Sequence, residues 1–186
     1  MSKMNPKISI LFVTIFVVAM TRLLPHWPNF TAVGAIAIFG GATIRNSWKA
    51  VLIPLAAIFI SDLLINNIFY SAYYDGFVFF GQASGWIYGA FILMTVMAHI
   101  SIKSFKALPI VGTAVSGSVL FYALTNLGAW IGNPLYTADA SGLLMAYEAG
   151  LPFLLNSMFA NVLFSGVLFG TYYVALEKKV EWLFVK

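Results

Sequence analysis

The run Lys49-Ala-Val-Leu-Ile-Pro-Leu-Ala-Ala-Ile-Phe-Ile-Ser-Asp-Leu-Leu-Ile65 decides how the whole chain is read. It opens on a cation, stays uncharged through Ile60, and then carries Ser61-Asp62 inside an otherwise apolar stretch. A carboxylate so placed costs on the order of 3 kcal/mol at the centre of a bilayer and less near its edge. Something elsewhere in the chain must therefore compensate Asp62. The opposed charges at the two ends of the run also give it a direction.

Working outward, five more apolar runs repeat the pattern, at about Ile8 to Leu24, Thr31 to Ile44, Phe77 to Ile100, Ile110 to Ile131 and Leu151 to Leu176. Nine of the 10 Lys and Arg residues fall on one side of these runs: Lys3, Lys7, Arg45, Lys49, Lys103, Lys106, Lys178, Lys179 and Lys186. Positively charged loops stay cytoplasmic, so the pattern predicts six transmembrane helices with the N and C termini cytoplasmic. Only Arg22 among the cations lies on the other side, together with His26, Asp62, Asp75, Asp139 and Glu148. The second run, at about 14 residues, is shorter than the 17 or more usually needed to cross and requires shelter. Its small residues, with Ala37 and Gly41 four apart, suit close backbone packing. Between the fifth and sixth runs lies the longest polar connection, Gly132 to Gly150, which is expected to form a lid or a partner surface.

Composition excludes an ordinary soluble domain, because 61% of the 186 residues are hydrophobic and 9% are charged, against about 25% charged in globular chains. The expectation is one integral membrane domain over residues 1–186, all-α, with the lipid membrane as its main partner. The net charge of +4 does not indicate nucleic acid, since the basic residues are spread over four short segments and form no single patch. With no Cys, a disulfide framework, a thiolate metal site and a Cys nucleophile are all excluded. The first run follows Lys3 and Lys7 as a signal peptide would, but it has no small-residue cleavage motif before Pro25 and is read as a retained helix. No internal repeat of a larger inverted-repeat transporter is evident.

The chemistry gathers on the side opposite the lysines. Arg22 is expected at the depth of Asp62 and is the natural counter-ion, whether as a helix tie or as part of a site. His26 stands in a turn stiffened by Pro25 and Pro28, where a neutral imidazole can contact a ligand or act as a metal ligand. His99 belongs to the cytoplasmic end and cannot share a site with it. Asn29, Asn66, Gln82, Asn126 and Asn156 offer uncharged donors and acceptors near the outer face, and Trp130 an aromatic surface for stacking. Interhelical hydrogen bonding and an interfacial aromatic belt are the plainer uses of such residues.

Several stretches carry a family resemblance: Arg22-Leu-Leu-Pro-His-Trp-Pro-Asn-Phe-Thr-Ala-Val-Gly-Ala-Ile-Ala-Ile-Phe-Gly-Gly-Ala42, Pro54-Leu-Ala-Ala57, Ser61-Asp62-Leu63, Thr125-Asn126-Leu-Gly-Ala-Trp130 and Tyr147-Glu-Ala-Gly-Leu-Pro152-Phe153. Together they resemble a bacterial family of membrane transport proteins, itself similar to the substrate-binding S components of energy-coupling factor (ECF) vitamin transporters. The resemblance implies an S-component-like bundle in the bacterial inner membrane with its ligand site near the outer face. Solitary cobalamin transporters are similar in placing a His after the first helix and an Asp at the end of the third, where His26 and Asp62 stand. The resemblance thus implies a vitamin-like ligand, cobalamin or a related corrinoid, with His26 as a possible cobalt ligand. Two features depart from that pattern. There is no Cys for thiol chemistry at cobalt, and the first span lacks the Ala-xxx-Ala pattern with which many S components dock an ECF energising module.

An enzyme is not expected. Ser84-Gly85 resembles the nucleophile segment of intramembrane serine proteases, but the sixth run carries no His to act as base, and His99 is on the wrong side. The expected function is uptake of a small vitamin-like nutrient, with no intrinsic cofactor. The alternatives are an ECF S component for another vitamin or micronutrient, and a membrane assembly subunit that transports nothing.

Overall fold

A computed structural model describes residues 15–24, 26–44, 46–81 and 83–177. Pro25, Arg45, Gln82, both terminal segments and the lysines at 3, 7, 178, 179 and 186 lie outside the described residues. Residues 15–20 are helical (α1) and tighten into a 3-10 turn at Thr21–Leu23. The other helices are α2 (Val33–Thr43), α3 (Ser47–Leu64), α4 (Ser84–Ser101), α5 (Ala107–Gly132) and α6 (Ala140–Glu177). A π-type turn, Ile65–Phe69, extends α3. No strand occurs among the described residues, so the protein is all-α there. Among the described residues, four helices are long and apolar enough to cross a membrane: α3 with its π turn, α4, α5 and α6. Their outer faces carry exposed apolar side chains such as Leu108, Leu155 and Phe159, as expected where lipid is the solvent.

The short helix α2 is the hub. Its 11 residues rise only about 16 Å, too little to cross about 30 Å of hydrocarbon. Every residue from Val33 to Gly41 is buried, and α2 packs against α3, α4, α5 and α6. A helix apolar on all faces belongs inside a bundle. Small residues make this possible. A Cβ at Gly40 would strike the Pro54 ring of α3, one at Gly41 the Thr95 carbonyl oxygen of α4, and one at Gly34 the Asn161 amide of α6. The close packing expected around Ala37 and Gly41 is thus found, with Gly41 as the contact. At the same end, His99 Nδ1–H donates to the Gly41 carbonyl at 2.9 Å, tying α4 to the last turn of α2.

Two element boundaries differ from the sequence reading. The fourth helix begins at Ser84 instead of Phe77. Asn67 is the reason: its Nδ2 donates to the Val78 carbonyl (2.8 Å) and its Oδ1 accepts from the Val78 amide (2.7 Å), so the backbone there is held extended against α3. The sixth helix begins at Ala140 instead of Leu151, and most of the Gly132 to Gly150 connection is helical, leaving a link of only 133–139. Asp139 is the cap that starts it. Its Oδ1 accepts from the Gly142 amide (2.8 Å), Ser141 Oγ (2.7 Å) and Thr137 Oγ1 (2.8 Å). Gly150, expected to end the connection, and Pro152 lie within the helix; a Cβ at Gly150 would strike the Asn126 amide of α5.

The Gly142 amide, then Ser141 and Thr137, favour the charged carboxylate and hold the Asp139 pKa down to about 2. The unfolded value is about 3.9, so the cap is complete above about pH 4 and is lost as pH falls towards 2. Carboxyl NMR of the protein in lipid nanodiscs is expected to place the Asp139 midpoint near 2, and hydrogen exchange to show residues 140–146 fraying in Asp139→Ala. For the hub, Gly41→Ala is expected to lower stability by about 1–3 kcal/mol through overpacking. Gly89→Ala, which meets open space, is expected to be neutral or to stabilise by up to about 1 kcal/mol. Thermal unfolding of the two variants in detergent checks both.

Candidate functional site

The helix directions bring two groups of polar side chains to one end of the bundle. Lys49, Lys103 and Lys106 mark the other end, at the start of α3, after α4 and before α5. In the first group, Arg22 reaches from the turn after α1 to the last turns of α3. Its Nη1 pairs with Asp62 Oδ1 at 2.5 Å and donates to Ser61 Oγ at 2.7 Å. Ser61 in turn donates to the Ile58 carbonyl at 2.7 Å. The second carboxylate oxygen, Asp62 Oδ2, accepts from the Tyr88 hydroxyl of α4 at 2.6 Å. Both charged side chains are 19% exposed. Phe80 packs edge-on against Tyr88 and beside Phe59. Arg22 Nε is buried without a hydrogen-bond partner.

The second group surrounds a cavity of about 40 Å³ between α2, α4, α5 and α6. Asn29 and Thr31 line its upper part, Ser157 and Asn161 come from α6, and Phe91 and Phe121 form apolar walls. Asn29 adopts φ 58°, a left-handed conformation that Asn tolerates better than most side chains, and it reverses the chain just before α2. The turn above is tied down by Asn156 Nδ2, which donates to the Pro28 carbonyl at 2.9 Å.

Of the residues singled out from sequence, Arg22 and Asp62 meet directly. His26 stands apart on the exposed turn, where its Nδ1–H donates to the Trp27 carbonyl at 2.9 Å and leaves Nε2 with a free lone pair. Asn29 lines the cavity. Asn66 lies in the π turn, half-buried. Gln82 lies outside the described residues. Asn126 donates to the Tyr122 carbonyl within α5 at 2.8 Å, and Trp130 Nε1 closes the α5–α6 link by donating to the Thr137 carbonyl at 2.8 Å. Asn126, Trp130 and Asn156 therefore each hold backbone. Residues not singled out as site residues include Ser61 and Tyr88, which join the Arg22–Asp62 pair, and the cavity residues Thr31, Ser157 and Asn161. The signal for Ser157 and Asn161 was available, since residues four apart share a helix face.

No group of three or more His, Cys, Asp or Glu able to hold a metal occurs among the described residues. Taken together, these features define a multi-pass helical membrane protein with a partly buried ion pair and a small polar cavity at one end. The chain belongs to a family of unknown function (DUF6580), which it matches over residues 2–183. No curated protein and no solved structure matches it.

Removing one member of the ion pair strands the other in a poorly solvated place. Asp62→Asn is expected to cost about 2 kcal/mol, below the full penalty of a buried pair because both groups keep some exposure. The double variant Arg22→Met/Asp62→Leu is expected to regain most of it. Chemical unfolding of the three proteins in detergent checks the ordering.

Proposed function

We propose that this protein is a binding component or solitary carrier that takes up a small vitamin-like nutrient from the outer face of the bacterial inner membrane. One observation carries the reading: the Arg22, Asp62 and Tyr88 cluster and the cavity beneath Asn29 converge on the end opposite the lysines. Intramembrane ionisable groups are costly and mark ligand or ion pathways more often than they mark scaffolding. In this reading the bundle has six spans with both termini in the cytoplasm, as in S components; α1 supplies one beyond the four long helices, and α2, too short to cross lipid alone, carries the chain back within the shelter of the bundle. The turn at 26–30, held by Asn156, covers the site and lifts to admit ligand. Asp62 and Arg22 anchor it electrostatically, and release follows rearrangement of the helices around α2.

A corrinoid is the first ligand to test. His26 offers an imidazole whose Nε2 is free on an exposed turn, and the macrocycle, far larger than the cavity, would rest across the outer face with cobalt at His26. Another vitamin carried as an ECF S component is the second arm, with an energising module as partner. The assembly-subunit reading has less support, because the three α2 glycines with close neighbours meet helices of the same chain.

Protein purified from cells fed cobalamin, and from cells fed a vitamin mixture, is expected to carry ligand detectable by visible absorption or by mass spectrometry. His26→Ala and Asp62→Ala are expected to bind it roughly tenfold or more weakly, as loss of a charge-assisted contact implies. Unchanged affinity in both variants would refute the site. No retained ligand and no vitamin-induced thermal stabilisation would remove nutrient capture itself.

A further inference from the structure

The cavity under the 26–30 turn differs from the ion-pair cluster in one respect: none of its lining side chains is charged. Its polarity is graded with depth. Asn29 at the mouth is exposed, Thr31 is half-buried, and Ser157 and Asn161 at the floor are 9% and 4% exposed. The floor is fixed in place. Asn161 Nδ2 donates to Ser118 Oγ at 2.8 Å, and Ser118 donates onward to the Ala114 carbonyl at 2.8 Å. That chain orients the amide so that Oδ1 is the atom left over. Gly34 lies directly against the same amide, in the place where any Cβ would displace it. No hydrogen bond engages the side chains of Asn29, Thr31 or Ser157 among the described residues, although the hydroxyl of a buried helical Ser can usually reach a carbonyl one turn back.

Buried polar groups in lipid surroundings are satisfied by protein or by something that occupies the space between them. Here two hydroxyls, one amide and an oriented amide oxygen face a common volume of about 40 Å³. That is room for a few waters or for a group of a few non-hydrogen atoms. With no ion to neutralise a charge, a carboxylate or ammonium would enter without a counter-ion and lose its hydration. An amide or hydroxyl would instead find both donors and acceptors, beside the Phe91 and Phe121 rings, which pack on each other with centroids 5.0 Å apart.

We infer that this cavity is a binding pocket for a neutral amide- or hydroxyl-bearing group, with Asn161 and Ser157 reading it at the floor and Thr31 at the entrance. It names the ligand class for the proposed capture function and rests on that reading for its biological use, but the pocket is testable without any nutrient. Full-length protein in lipid nanodiscs is mixed with acetamide, glycerol, acetate or methylammonium, and binding is read by saturation-transfer NMR. Acetamide and glycerol are expected to receive saturation and the two ions to receive none. The acetamide signal is expected to fall about fivefold in Asn161→Leu, as loss of one hydrogen bond implies. Thr31→Val, nearly isosteric and only half-buried, serves if Asn161→Leu does not fold, and is expected to weaken acetamide likewise. Equal signals from acetamide and acetate, no acetamide signal in the wild type, or an acetamide signal unchanged in the folded variants would each overturn the pocket. A failure here leaves nutrient capture at His26 and Asp62 standing. Failure of ligand retention in the purified protein leaves the pocket standing.

Discussion

The architecture depends on how closely three helices can approach one short helix. α2 contributes little side-chain volume, and its glycines accept a proline ring, a backbone carbonyl and an amide from α3, α4 and α6 in turn. Lipid tails are as apolar as Leu, so helix association in a membrane comes from close packing and interhelical hydrogen bonds, not from expelling water. α2 supplies the packing and Asn161, His99 and Asn156 supply the bonds. The charged and polar chemistry at one end is positioned by this hub: Gly34 sets Asn161, Asn161 sets the cavity floor, and the turn entering α2 sets Asn29.

The two polar groups at that end follow different electrostatic rules. Around Asp62 each carboxylate oxygen has its own donor and both charged side chains keep some exposure, so the ion pair is held without being sealed. In the cavity no lining side chain is charged, so in the proposed pocket selectivity would come from the absence of a counter-ion as much as from the groups present. A single molecule with a charged or metal-bearing part and a neutral amide arm would satisfy both.

Much of the fold was legible because lipid imposes simple rules. A carboxylate amid Leu and Ile requires a partner, and Arg22 was the only cation on its side. The α3 and α5 boundaries follow from apolar length, and the fate of α2 from its small residues. What escaped were side chains acting on distant backbone. The start of α4 depends on Asn67 occupying the amide and carbonyl of Val78, 11 positions away. The start of α6 depends on Asp139 gathering three donors, and Gly150 reads as the end of a polar connection until Asn126 is seen to fill the space beside it. Tyr88 was hidden for a related reason: in an apolar helix a tyrosine looks like packing until its hydroxyl is found on a carboxylate. Ser157 and Asn161 are uncharged and unremarkable singly, and only the curvature of the bundle makes a cavity of them.

α4 has 18 residues and α6 has 35 within its apolar span, so they reach about 27 Å and 52 Å along their axes. In one and the same bilayer the first has barely enough length and the second a large excess, which it must take up by leaning or bending at Pro152. Both helices line the uncharged cavity. Acyl-chain length would therefore load the two helices unequally: a thicker membrane would draw α6 upright while α4 has no slack to follow.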